Sequence, residues 1–98
     1  LEIRGFEWDE NNIGHLIARH PVEPEEVEEI FTSQAPPLVK QERAGRYRAL
    51  GITEHDRYIV VIFENKGAGI IRPITAREMK QSEKREYKEY RQRRRHRP

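Results

Sequence analysis

Arg72-Pro-Ile-Thr-Ala-Arg77-Glu-Met-Lys-Gln-Ser-Glu83-Lys-Arg-Glu-Tyr87 reads as a strand that runs out into a helix, and the fold turns on where one becomes the other. Ile70 to Ile74 alternates as a strand does. Pro73 cannot donate to a ladder, which predicts an edge position or a strand already leaving the sheet. Thr75-Ala-Arg-Glu78 has the Ser/Thr-x-x-Glu spacing of a capping box, so a helix is expected from about Ala76. Ala76, Met79, Glu83, Tyr87 and Tyr90 then recur at spacings of three and four on one helical face. A glutamate inside that stripe is its informative member.

Working back towards the start, Arg57 to Glu64 holds Tyr-Ile-Val-Val-Ile-Phe, the most strand-like run in the chain. Its β-branched and aromatic content predicts a central strand covered on both faces. Leu38 to Arg43 and Arg46 to Thr53 read as two more strands, separated by Ala44-Gly45. Glu54 to Asp56 and the Gly-rich Asn65 to Gly69 supply the remaining turns. These four strands make an antiparallel meander. Before them, two helices are expected. The first is capped by Asp9, carries Ile13, Leu16, Ile17 and His20 on one face, and stops at Pro21. The second starts at Glu23-Pro24 and buries Val27, Ile30 and Phe31. Residues 1–8 read as a short strand with a possible bulge at Gly5. The fold class is therefore α+β, in the order β-α-α-β-β-β-β-α. Two N-terminal helices and a C-terminal helix pack on one face of a mostly antiparallel sheet.

The chain has 98 residues, which suits one domain, expected over residues 1–90, with a basic tail over 91–98. A chain of this length buries roughly 60–65% of its unfolded surface, so its core is thin. The net charge of +2 hides a division. Residues 84–98 carry a balance of +6 and residues 1–83 a balance of −4. Such asymmetry points to nucleic acid or an acidic partner; the plainer alternative is a solvated tail. There is no cysteine, which excludes disulfides and thiolate metal sites. No signal-peptide pattern opens the chain. The longest apolar run, Tyr58 to Phe63, is far short of the ~20 residues a spanning helix needs, so a cytoplasmic protein without a membrane anchor is expected.

Phe6-Glu-Trp8-Asp9, Ala-Arg19-His20, Pro24-Glu-Glu-Val-Glu-Glu-Ile-Phe31, Arg46-Tyr-Arg48-Ala-Leu-Gly51 and Arg72-x-Ile-Thr-Ala-Arg77 with Glu83 and Tyr87 together resemble the BrnT-type toxins. The likeness covers about residues 6–90 and rests on order and spacing. It implies a RelE-like ribonuclease fold and an enzyme that cuts RNA with no metal or other cofactor. It also implies silencing by a DNA-binding antitoxin. The chain departs from the family at Arg19-His20-Pro21, where Lys-His-Gly is common, and at Asn12, where a lysine is.

Cleavage of RNA without a metal needs a base for the 2′-OH, cations on the pentacoordinate phosphate, and an acid for the leaving 5′-oxygen. Arginine forks match phosphate oxygens, which makes Arg48, Arg72 and Arg77 the candidates for the second role. Arg77 is expected in the first helical turn, binding phosphate or pairing with Glu83. Arg72 either looks into a cleft or pairs with Glu83. His20 and Tyr87 are the proton-transfer candidates, with helix-end and core roles as their alternatives. Glu83 is expected to organise the arginines. Lys80, Lys84, Arg91, Arg93 and Arg94 would meet the RNA backbone, free or on the ribosome. The rival reading is a non-catalytic module on the same scaffold that binds RNA or a protein.

Overall fold

The structure is a computed structural model that describes residues 2–19 and 21–95. Leu1 and His20, on which the opening strand and one proton-transfer role were placed, lie outside the described residues, and so do residues 96–98.

The element order matches the expected one: β1 (Gly5–Phe6), α1 (Glu10–Arg19), α2 (Pro24–Thr32), β2 (Leu38–Arg43), β3 (Arg46–Ile52), β4 (Tyr58–Gly67), β5 (Ile70–Glu78) and α3 (Gln81–Arg95). One five-stranded sheet runs β1-β5-β4-β3-β2. The last four strands form the antiparallel meander, and β1 adds to β5 in parallel through Gly5 and Phe6. The opening strand is thus two residues long.

β4 is the centre of the molecule. Ile59, Val60, Val61 and Phe63 are fully buried, and their alternation sends them to two separate cores. Ile59, Val61 and Phe63 face α1 and α2, meeting Leu16, Val27 and Ile30. Val60 faces α3 together with Leu50, Met79 and Tyr87. The helices therefore cover both faces, where one face was expected. A central strand apolar on both sides leaves no other arrangement that keeps water off Val60. α2 lies so close to β3 that a Cβ on Gly51 would come within 2.7 Å of Ile30 Cβ.

The strand-to-helix junction differs from its sequence reading. β5 does not end at Ile74; it continues through Glu78, with Ala76 opposite Val61 and Arg77 opposite Val60. The two strands of a hairpin need matching lengths, and β4 reaches back to Tyr58. That demand for ladder partners overrides the local capping signal at Thr75. The helix begins at Gln81 instead, where Glu83 accepts the Lys80 N–H at 2.7 Å. That contact is half of a capping box, with lysine where serine or threonine is usual.

Pro73 sits where β5 has become an edge on its β1 side, as its missing N–H predicts. Two irregularities make room for it. The β4–β5 register shifts between Ile62 and Phe63, beside Pro73, and the pairing with β1 stops at Ile71. Beyond that point the Asn12 side chain donates to the Pro73 carbonyl at 2.9 Å. Asn12 is buried and also accepts the Asp9 N–H, while Asp9 Oδ1 accepts the N–H groups of Asn11 and Asn12. The expected Asp9 cap is thereby a reciprocal one.

Candidate active site

Three basic side chains rise from the sheet beneath α3. Lys40 of β2 lies directly across from Arg48 of β3, and Arg77 comes from the end of β5. Each has a carboxylate partner. Lys40 Nζ donates to Glu86 at 2.6 Å, Arg48 donates twice to Glu42 at 2.8 and 3.1 Å, and Arg77 forks onto Glu83 at 2.7 and 2.8 Å. Like charges side by side repel, so the alternating acids allow the three cations to share one face.

Glu83 is the anchor. Its side chain is 9% exposed, against 29% for Arg77 and 35% for Arg48. The Arg77 fork, helped by the Lys80 N–H and the nearby charge of Arg48, lowers its pKa from 4.5 to about 2 in spite of burial. Glu83 in turn raises the pKa of Arg77. Arg48 Nη1 stands 3.6 Å from Glu83, close enough for charge attraction but too far for a hydrogen bond. Glu83 thus holds one guanidinium rigidly and draws a second towards it.

Arg48 also lines an open groove of about 470 Å³ with Lys40, Gln41, Glu42, Arg43 and Arg46. Four cations against one carboxylate make it an anion-attracting channel. The Nε of Arg46 is buried there without an acceptor among the described residues. Period two places Lys40 and Glu42, and likewise Arg46 and Arg48, on common strand faces. That signal could have marked the groove from sequence, but only the fold shows that the two pairs meet.

Arg72 does not pair with Glu83; it lines a shallow cleft between β5 and α1 with Asn11, Asn12, His15 and Ile74. It donates to Asp9 at 2.8 and 3.2 Å and to Glu7 at 3.1 Å, and so ties β5 to the start of α1. The Arg72 hydrogen bond lowers the pKa of Asp9, and Asp9 raises that of Arg72. Tyr87 is fully buried in the α3 core, and its hydroxyl has no partner among the described residues. Burial raises its pKa, so the phenol stays protonated at neutral pH and offers no base. Lys80 is exposed just before α3, and Lys84 lies over the Tyr58 ring. Arg91, Arg93 and Arg94 occupy the last turns of α3, with Arg94 over the Tyr90 ring at 5.8 Å. His20 falls outside the described residues; its chain neighbour Pro21 lines a small cleft with Arg57 and Arg77. Among the described residues no three His, Cys, Asp or Glu gather as metal ligands, and no helix is long and apolar enough to cross a membrane.

Comparison with known proteins gives two matches of weight. A family model described as "Ribonuclease toxin, BrnT, of type II toxin-antitoxin system" matches residues 8–83, a span that contains Arg48, Arg72, Arg77 and Glu83. Among solved structures, the crystal structure of the Brucella abortus ribonuclease toxin BrnT is similar, with a TM-score of 0.64 and 25% sequence identity. The match covers 79% of this chain and 97% of that one. No curated protein matches.

Proposed function

Because the chain belongs to the family of BrnT ribonuclease toxins of type II toxin–antitoxin systems, we propose that it cuts RNA with Arg48 and Arg77 as the phosphate-binding pair and Glu83 as their anchor. The observation that carries this is the convergence of both guanidinium groups on one buried carboxylate, with Arg48 also lining a basic groove.

The 2′-oxygen attacks the adjacent phosphorus, and negative charge builds on the phosphate oxygens as the 5′-oxygen leaves. Donors fixed beforehand stabilise that charge without reorganising at the moment of reaction. Glu83 supplies the fixing. With its pKa near 2 it stays ionised at neutral pH, so it positions cations and transfers no proton. Lys40, Arg43 and Arg46 guide the backbone along the groove, and Lys80, Lys84, Arg91, Arg93 and Arg94 extend the basic track along α3. His20 is the proton-transfer candidate on the chemistry of its imidazole, whose ordinary pKa lies near neutrality. Tyr87 serves as packing, and Arg72 as the clamp between β5 and α1. No metal is needed in this scheme. The family implies an antitoxin partner; that it binds DNA, and that the RNA is met on the ribosome, are parts of the same proposal.

A specific observation favours the rival, non-catalytic module. Arg72 and Arg77 both stand with carboxylates already in their forks, which a phosphate must displace or share. The nature of the products separates the two. Purified protein incubated with RNA in excess chelator should leave 2′,3′-cyclic phosphate ends, and RNA with 2′-deoxy positions should survive. Intact RNA, or cleavage that appears only with added divalent metal, would overturn the proposal.

A further inference from the structure

Tyr58 opens β4 two residues before Val60, the strand partner of Arg77, and packs on the face that α3 covers. Its ring is half-buried and braced edge-on by Tyr87, with centroids 6.1 Å apart. Two ammonium groups lie over it, Lys84 Nζ at 5.7 Å and Lys88 Nζ at 5.4 Å from its centroid. They stand one helical turn apart, and neither has a carboxylate partner among the described ion pairs. Two like charges gathered over one ring attract an anion, and the ring beneath is a rigid, partly open π-surface. Single-stranded nucleic acid is bound by this combination: aromatic faces take bases while nearby cations take the phosphates.

We propose that Tyr58 is a base-stacking platform for RNA, with Lys84 and Lys88 moving off the ring to grip the flanking phosphates. The inference rests on RNA being the substrate. It adds a subsite that holds a nucleobase beside the scissile phosphate, without hydrogen-bond readout of which base it is.

The test uses single-stranded 2′-O-methyl RNA, which lacks the attacking hydroxyl, and an abasic oligomer of equal length and charge. In fluorescence anisotropy the wild-type chain should bind the base-bearing oligomer about tenfold more tightly. Tyr58→Phe should keep that ratio, and Tyr58→Leu should bring it close to one. Lys84→Ala with Lys88→Ala should weaken both oligomers alike and leave the ratio intact. A wild-type ratio of one, or a full ratio in Tyr58→Leu, would overturn the proposal. A measurement on the wild type guards against misfolding of the variant. 2-Aminopurine placed at each position in turn should be quenched at one or two positions on binding, and quenching at none also overturns it. Cleavage by the wild type, together with a ratio that Tyr58→Leu does not change, removes the platform and leaves the ribonuclease reading in place. A Tyr58-dependent ratio without cleavage does the reverse.

Discussion

The carboxylate of Glu83 accepts from both terminal nitrogens of Arg77, at 2.7 and 2.8 Å, across the gap between β5 and α3. A fork-to-fork pair of this kind fixes orientation as well as charge. Here it joins the end of the central hairpin to the first turn of the last helix.

That pair should be visible in the acid stability of the protein. The pKa of Glu83 is depressed from 4.5 to about 2, so the unfolded chain binds the extra proton between those values. Its contribution is present in full above about pH 4.5 and is lost as the pH falls towards 2. A shift of this size corresponds to about 3 kcal/mol. Unfolding free energies from urea titrations between pH 6 and pH 2 should fall more steeply for the wild type than for Glu83→Gln, by about that amount. Parallel profiles would show that the pair contributes no net stability.

Arg72 should affect stability and not turnover. It bridges Glu7 and Asp9 at the entrance to α1, away from the Glu83 cluster. Arg72→Ala should lower the melting temperature, with the loss reduced at high salt, while cleavage by the folded variant stays within about threefold of wild type. A folded Arg72→Ala without activity would return Arg72 to the phosphate site.

The end of α3 should set the salt dependence of RNA binding. Arg91, Arg93 and Arg94 lie together on its last turns. If each contacts a phosphate, replacing all three with alanine should reduce the slope of log affinity against log salt by about 2. Affinity titrations between 50 and 300 mM salt check this; an unchanged slope would mean that the end of α3 does not touch the backbone.

Much of this was legible in the sequence because it is set by local periodicity. The run from Tyr58 to Phe63 identifies a central strand, and Asp9 and Pro24 mark the starts of two helices. The readings that failed are those decided by distant partners. Thr75 and Glu78 have the right spacing for a helix cap, yet the ladder with β4 holds them in a strand. The length of β4 carried the missing signal, since its hairpin partner must reach as far as its beginning at Tyr58. For Arg72 the sequence offers a cleft or Glu83, eleven positions along; it lines a cleft, but its ionic partners Glu7 and Asp9 lie more than sixty residues back in the chain. Arg77 and Glu83 were rightly linked, although Arg77 lies in a strand and not in the helix. Lys40, Glu42 and Tyr58 gain interest only through the face they share with α3, and that face exists only once the sheet has formed.

The most direct measurement is single-turnover RNA cleavage in chelator by Arg48→Ala and Arg77→Lys, each first shown by thermal melting to be folded. Arg77→Lys keeps a charge beside Glu83 but removes the fork. If the two arginines stabilise the phosphate, each variant should cleave about a hundredfold more slowly or worse. Folded variants that both cleave within about threefold of wild type would contradict the assignment of this cluster as the catalytic site.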